Sequence, residues 1–334
     1  MSSTQSFDRI VYASDSMARL CHLARQAAGT DLAVLIQGET GTGKELMARA
    51  VHGSSQRRDF PFLAQNCSAL PDDLLASELF GHKRGAFTGA IGDRLGLFPA
   101  ADGGTVFLDE IADVSPSFQA SLLRFLQDGE VRPLGTHQPR YCNVRIIAAS
   151  NQPLEQLVAE GRFRRDLFYR LRGFELNIPP LRERAADIPV LAEHSARSYA
   201  ESIRRQFGGF AAEALRRLGA HDFPGNVREL ENEVRRMVAL SADGEPLSAR
   251  LLSPGIAVAI ETEAEAEEYL KAPAGGTLKE QVEALERRLV VQSLGRHDWN
   301  HSRAARELGL SRVGLANKIR RYRLTPADTE LLPG

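Results

Sequence analysis

Three cysteines in 334 residues, Cys21, Cys67 and Cys142, are an odd number, and no two of them form a CxxC pair. That excludes a disulfide framework and a cysteine zinc site, and it predicts reduced thiols. No apolar stretch approaches the roughly 18 residues that a membrane span requires. The opening MSSTQSFDR also lacks the basic-then-apolar order of a signal peptide. The expectation is a cytoplasmic protein with no membrane partner. Solenoid-length repeats are missing as well. Neither charge sign dominates: 42 basic residues stand against 43 acidic ones, for a net −1 that by itself suggests no polyanion partner.

What is present is the composition of a folded protein, 43% hydrophobic and 25% charged. A chain this long predicts two or three domains. Residues 33–37, AVLIQ, form a short apolar run that ends in glycines and leads into the helical pattern ELMARAVH. Further buried-strand candidates are PFLAQN at 61–66, TVFLDE at 105–110, VRIIAAS at 144–150 and FELNIP at 174–179, alternating with helical stretches such as SFQASLLRFLQDG. Strands alternating with helices predict an α/β unit whose mostly parallel sheet is covered on both faces. After Pro179-Pro180 the strand signals stop. Residues 181–241 read as helical, with breaks at Gly208-Gly209 and Phe223-Pro224-Gly225. The expected division is an α/β unit at 1–179, a helical subdomain at 180–252, a Pro/Gly-ended linker at 253–276 and an all-α unit at 277–334.

Charge is uneven by segment. From Arg296 to Arg323 eight basic residues face two acidic ones, whereas Glu261 to Lys271 carries five glutamates against one lysine. The basic end points to nucleic acid, although the same charges also suit a solvated helix face.

Gly38-Glu39-Thr40-Gly41-Thr42-Gly43-Lys44 fits G-x-x-x-x-G-K between a predicted strand and a predicted helix, the context that a phosphate loop requires. Glycines let successive N–H groups point at phosphate oxygens, the helix N-terminus adds its dipole, and Lys44 reaches the β- and γ-phosphates. The usual magnesium-binding Ser or Thr is replaced by Glu45, which leaves a glycine turn without nucleotide as the alternative. The strand VFL ending in Asp109-Glu110 weighs against that alternative. It puts Asp109 in reach of a magnesium ion and its waters, and Glu110 where it can activate an attacking water. Loop and acids together predict an ATPase using ATP and Mg2+.

Between these motifs stands Gly85-Ala86-Phe87-Thr88-Gly89-Ala90, preceded by SELFGHKR. Terminal glycines supply hinge freedom, and a phenylalanine on a polar loop invites a partner. This segment resembles the bacterial enhancer-binding proteins, the AAA+ ATPases that activate sigma-54 RNA polymerase, in which GAFTGA touches sigma-54. The resemblance runs over roughly residues 9–324. It implies an AAA+ core with a helical lid, and in that family GETGTGKE with Glu45 is the ordinary loop. By the same resemblance Asn66 holds the catalytic Glu110 back until the partner engages, and Asn151 senses the γ-phosphate. Arg164 and Arg170 of FRRDLFYRL reach into a neighbouring subunit's site, and Arg228 of PGNVREL contacts nucleotide from the lid. Two positions depart from the family pattern: Phe223 replaces the usual Trp, and Tyr12-Ala13 replaces a glycine near the N-terminus.

Residues 277–294 place Leu278, Val282, Leu285, Leu289 and Gln292 at helical spacing, a stripe that suits self-association. Two shorter helices follow, broken at Gly309-Leu310-Ser311, a helix-turn-helix pattern with its recognition helix at Arg312–Tyr322. Arg312, Asn317, Lys318, Arg320 and Arg321 are its candidate contacts to double-stranded DNA, with bases and phosphates not yet told apart. The segment also resembles the Fis-type helix-turn-helix of the same family. His297 and His301 have metal-capable spacing without a third ligand nearby, so a helix surface or cap is expected.

The function expected is an activator that binds upstream DNA, assembles into a dimer and then a ring, commonly a hexamer, and remodels sigma-54 polymerase. The rival is a regulator that acts by occupying DNA without sigma-54. A general AAA+ chaperone or helicase is disfavoured by the basic terminal unit and by the absence of a second nucleotide motif. The ATPase pattern begins near residue 9, too early for a preceding receiver domain, so control is expected from a regulatory protein in trans, from expression level, or from a domain lost in this chain.

Overall fold

Five of the apolar runs become five parallel strands: β1 (Val34–Gln37), β2 (Phe62–Asn66), β3 (Thr105–Asp109), β4 (Arg145–Ser150) and β5 (Phe174–Asn177), in the lateral order β5-β1-β4-β3-β2. They belong to a computed structural model that describes residues 5–7, 9–86, 90–136, 138–256, 283, 286–287, 289–291, 293–295, 297, 299–322 and 324–325. The chain divides into two compact units, Met1–Ala257 and Val258–Gly334.

Side chains that alternate along a strand reach opposite faces of a sheet, and both faces here are covered. Leu35, Val106, Leu108, Ile146 and Ala148 share one cluster with Phe98, Phe118, Leu122 and Leu167. Val34, Ile36, Phe107, Ile147, Ala149 and Leu176 share the other with Met17, Leu20, Met47 and Val51. The last two pairs come from the helices Asp15–Ala28 and Lys44–Gly53. Arg145, at the buried start of β4, donates to the carbonyls of Ala27 (2.7 Å) and Leu32 (3.3 Å), so a strand residue caps the end of helix Asp15–Ala28.

Because the strands are parallel, their C-terminal ends share one edge, where ligands of α/β sheets bind. The register pairs Asn66 with Asp109 and Gln37 with both Ser150 and Asn177. Three short antiparallel ribbons accompany the sheet: Gln5–Phe7 with Ile10–Tyr12, Gly81–His82 with Arg94–Leu95, and Glu130–Val131 with Arg140–Tyr141. Strands of two or three residues are too short to show a period, so no sequence pattern announced them.

Beyond β5, residues Leu181–Asp187 turn as a 3-10 segment into helices Ile188–Ser202, Ala212–Ala220 and Asn226–Leu240. These pack around Ala192, Ala196, Leu230, Val234 and Met237. The breaks between them contain Gly208-Gly209 and Phe223-Pro224-Gly225. Phe223 is fully buried and meets His221 edge-on at 4.7 Å.

In the second unit, helices His301–Glu307 and Arg312–Tyr322 are joined through Gly309. They bury Ala304, Ala305 and Leu315 against Val290, Val291 and Leu294. Asn300 caps the first of them by accepting from Ser302 and Arg303 N–H. Most of the expected linker (257–276) and Leu278, Val282, Leu285 and Gln292 of the expected self-association stripe lie outside the described residues.

Among the described residues no helix is long and apolar enough to cross a membrane, and no group of three metal-ligating side chains is present. His297 pairs with Glu307 at 2.9 Å. All three cysteines are free thiols; burial pushes Cys21 up to about 11 and Cys67 up to about 12.

Candidate functional site

β1 is apolar and buried up to Ile36, so the chain leaves the sheet at Gly38 already aimed across its C-terminal edge. Residues 38–43 then curl into the N-terminus of helix Lys44–Gly53, whose unpaired N–H groups form an anion site. The close approach of the lid decides the composition of this loop. At Gly41 φ is +81°, and a Cβ there would lie 2.2 Å from the Gly225 carbonyl oxygen. Lys44 Nζ donates to the carbonyls of Gly38 (2.8 Å) and Glu39 (3.1 Å). Burial lowers the Lys44 pKa, opposed by the charges of Asp109 and Glu110 and reinforced by that of Arg228.

β3 delivers the two acids. Asp109 ends the strand half-buried, and its pKa is raised by desolvation against the pull of Lys44. Glu110 adopts φ +55°, a left-handed conformation that costs a non-glycine residue about 1 kcal/mol or more, and so turns off the strand line. Asn66 sits beside Asp109 on β2. Its side-chain oxygen accepts from the amide (2.8 Å) and hydroxyl (2.9 Å) of Ser68, and the same hydroxyl contacts the Glu110 carboxylate. Asn66 and Glu110 are thus linked through Ser68, a residue that sequence reasoning missed. One hydroxyl proton faces two acceptors, so Ser68 donates to only one of them at a time.

The lid closes on the loop from its far side. Arg228 donates its N–H to the Gly41 carbonyl at 3.3 Å. Asn226 is fully buried at φ +54°; its side-chain oxygen accepts from Leu181 N–H (2.8 Å), and its amide donates to Glu39 Oε2 (3.1 Å) and the Thr40 carbonyl (3.1 Å). Arg182 grips the Glu39 carboxylate with two bonds of 2.9 and 2.6 Å. Those bonds, with the Asn226 amide, hold Glu39 at about 2. The side chain of Glu39 therefore faces the lid. Buried Arg184 donates to the Thr42 carbonyl (3.1 Å) and lies 3.7 Å from Asp187, which accepts from the backbone of Ala13 (2.6 Å) and Ser14 (2.7 Å). The Tyr12-Ala13 departure is thereby tied to the lid through Asp187. Arg182, Arg184, Asp187 and Asn226 escaped the sequence reading because their partners lie far away in the chain.

Asn151 follows β4 and lines a cleft of about 380 Å³ with Gln37, Gly38, Glu39 and Asn177. Arg164 and Arg170 make their bonds elsewhere. Arg164 donates to Asp166 (3.0 and 2.7 Å) with nearly half of its side chain exposed, and Arg170 donates to the Leu126 carbonyl at 3.0 Å. Glu45, 54% exposed, pairs with Arg49.

Of the glycine-bounded loop, Gly85, Ala86 and Ala90 are described, while Phe87, Thr88 and Gly89 lie outside the described residues. Gly85 N–H donates to the Ala90 carbonyl at 2.9 Å and closes the loop base. Asp93 braces that base by accepting from Arg84 N–H (2.9 Å) and Lys83 Nζ. Ile91, next to the loop, is 88% exposed.

In the second unit the five candidate DNA contacts fall into two groups. Lys318 pairs with Glu286 at 2.6 Å and Arg321 pairs with Glu283, while Arg312, Asn317 and Arg320 are exposed on the same helix.

Three known families account for this order of units. The sigma-54 interaction domain matches residues 10–177, the AAA+ ATPase lid domain residues 182–269, and the Fis family of bacterial regulatory proteins residues 281–322. The chain belongs to the sigma-54-dependent transcriptional activators. The hydrogenase transcriptional regulatory protein HoxA of Bradyrhizobium diazoefficiens is 50% identical over 319 residues, covering 95% of this chain and 65% of its own length. The regulatory protein AtoC of Escherichia coli is 41% identical over 329 residues, covering 98% of this chain and 70% of its own. NtrX from Brucella abortus, solved in complex with ADP, superimposes with a TM-score of 0.70 at 31% identity, covering 95% of this chain and 70% of that one. The chain thus spans about two thirds of the length of these relatives. In this family of activators the sigma-54 interaction domain is an AAA+ ATPase, and the Fis-type unit is a DNA-binding helix-turn-helix.

Proposed function

We propose that this chain binds upstream DNA and uses ATP hydrolysis between subunits of a ring to remodel sigma-54 RNA polymerase. The observation that carries this reading is that Lys44, at the start of the helix that follows β1, and Asp109 and Glu110, at the C-terminal end of β3, lie on one edge of the parallel sheet. A phosphate-binding cation and two acids at one sheet edge suit phosphoryl transfer to water. The domain division we propose is an α/β ATPase unit at 1–179, its lid at 180–252, a linker at 253–276 and the DNA-binding unit at 277–334.

The donor set fits a triphosphate with magnesium. A half-buried carboxylate raised by desolvation would gain from a hard cation, and with Glu45 turned to Arg49, Asp109 is the residue that would hold it. Magnesium-ATP supplies the phosphoanhydride bond and the cation that neutralises its oxygens. The amides of residues 38–43 and Lys44 orient the phosphates, and Glu45 continues the helix as a surface residue. Glu110 takes the proton of the attacking water, restrained by Asn66 acting through Ser68. Asn151 contacts the γ-phosphate, and Arg228 contacts the nucleotide from the lid. Arg164 and Arg170 complete a neighbouring subunit's site. Turnover shifts the loop Gly85–Ala90 against sigma-54.

The test is turnover measured against protein concentration. The specific rate is expected to rise as subunits associate and to fall at least about a hundredfold in Arg164→Ala and Arg170→Ala. A concentration-independent rate would count against hydrolysis between subunits. Thr88→Ala should abolish sigma-54-dependent transcription while sparing DNA binding; unaffected transcription would favour regulation by occupancy.

A further inference from the structure

The recognition helix Arg312–Tyr322 turns an apolar side chain to solvent. Val313 is 71% exposed on its first turn. At about 100° per residue, the core-facing residues Leu315, Ile319 and Tyr322 fall on one face, and Val313, Asn317 and Arg320 fall within about 60° of one another on the opposite face. The residues that flank Val313 and Asn317 in sequence, Gly314 and Ala316, are small, so the backbone beside Val313 can come close to a partner.

The basic residues sort themselves around it. Lys318 is held by Glu286, which also accepts from the Tyr322 hydroxyl at 2.6 Å, and Arg321 is held by Glu283. These bonds fasten the recognition helix to the preceding helical segment and draw two cations to its flanks. Arg312 and Arg320 have no ion-pair or hydrogen-bond partner among the described residues. The outward face therefore carries an apolar group, an amide and the Arg320 guanidinium, with Arg312 about 100° round the helix from Val313.

We propose that Val313 and Asn317 read A·T base pairs in the major groove, Val313 against a thymine 5-methyl group and Asn317 by a bidentate bond to adenine N6 and N7. The chemistry is specific: in the major groove only thymine offers a methyl group, and an amide donates to adenine N7 while accepting from its N6 amino group. Residues near the N-terminus of a recognition helix are the ones that reach base edges. Val313 and Asn317 are one turn apart, about 6 Å along the helix, so the two bases lie within about two base-pair steps of each other. Arg312 and Arg320 then take phosphates or flanking bases, while Lys318 and Arg321 act on the fold rather than on the sequence read.

This assignment rests on the DNA-binding reading above, and the experiment separates the two. The full chain selects its preferred duplex from a random pool. Each thymine is then replaced singly by deoxyuridine, which lacks only the methyl group, and each adenine by 7-deazaadenine, which lacks only the N7 acceptor. In each half-site one deoxyuridine should weaken the wild-type protein about fourfold, the worth of one buried methyl group, and leave Val313→Ala indifferent. One nearby 7-deazaadenine should weaken the wild type about tenfold and leave Asn317→Ala indifferent. If the chain binds its selected duplex but these base changes affect wild type and variants alike, Val313 and Asn317 do not read bases and DNA binding stands without them. If the wild-type chain binds no duplex with salt-dependent affinity, DNA binding itself falls, and this assignment with it.

Discussion

Two glycine-bounded loops leave the same unit, and they use glycine for opposite purposes. The loop at 38–44 is pinned. Gly41 lies under the Gly225 carbonyl, Asn226 and Arg182 hold Glu39, and Arg184 and Arg228 hold the carbonyls of Thr42 and Gly41. Among the described residues, the loop at 85–90 is tied at its base, through Gly85 N–H to the Ala90 carbonyl and through Asp93. Gly85 has φ +80°, yet an added Cβ would meet nothing within 4 Å. Glycine in the first loop makes room for the lid; in the second it only permits a backbone turn. On the function proposed above, the first loop is preorganised to bind phosphate and the second moves against its partner.

The largest effect should come from placing an alanine in each. Gly41→Ala adds both a left-handed strain and a methyl group inside the lid's backbone, and the lid must shift. We expect a loss of about 3 kcal/mol or more in unfolding free energy and at least about a hundredfold in turnover. Gly85→Ala carries the strain alone, about 1 kcal/mol, with ATP turnover intact. Thermal unfolding and steady-state ATPase rates on both variants check this. Equal losses would show that the lid does not press on the first loop as the geometry implies.

The strands were legible because buried parallel strands appear as short apolar runs bounded by turn residues, and all five candidate runs contain one. Arg312–Tyr322 was legible because a turn glycine and a basic cluster flank it. The network around Glu39 was not legible. Arg182 stands 143 positions away and Asn226 187, and no local period connects residues joined only by the closed lid. For the same reason Glu39 reads as part of the phosphate loop while its carboxylate faces the lid. Ser68 was missed differently. Two residues after Asn66 it looks like an ordinary turn serine, and only the left-handed turn at Glu110 brings the acid to its hydroxyl.

Ser68→Ala comes next in size and asks whether the acids at the end of β3 are held as firmly as the backbone of the pinned loop. Without the hydroxyl, Asn66 keeps the Ser68 position's amide but loses its route to Glu110. Removing one hydrogen bond worth about 1 kcal/mol should raise basal turnover about fivefold, with KM for ATP unchanged and less further stimulation by polymerase. Ser68→Thr should restore wild-type rates. A fall in basal turnover would mean that Ser68 assists Glu110 rather than restrains it.

Glu39→Gln tests the lid contact by charge. The folded-state pKa of Glu39 is depressed to about 2, so its contribution is present above the ordinary carboxylate range and is lost as pH falls from about 4.5 toward 2. The pair is about two-fifths exposed on each side, so solvent screens it and the stability change should stay under about 1 kcal/mol. The variant should show no wild-type difference in unfolding below that window and a small one above it. Nucleotide affinity should weaken less than about fivefold, because the Asn226 amide still reaches the Thr40 carbonyl.

The smallest effect should be that of Asp93→Asn, which sharpens the other side of the comparison. Asp93 is a surface carboxylate whose pKa is lowered by Lys83 and by the Arg84 N–H, and both bonds brace the base of the loop at 85–90. An asparagine still accepts from the Arg84 N–H but gives up the ion pair, so thermal unfolding and basal ATP turnover should stay within about twofold of wild type. The effect should appear where the loop does its work. Proteolytic cleavage within residues 85–90 should quicken in the Asp93→Asn chain, and Lys83→Gln should match it, because each removes one end of the same pair. If cleavage at 85–90 is unchanged in both, the backbone bond between Gly85 and Ala90 alone sets the loop's freedom, and the comparison narrows to one hydrogen bond against a docked lid.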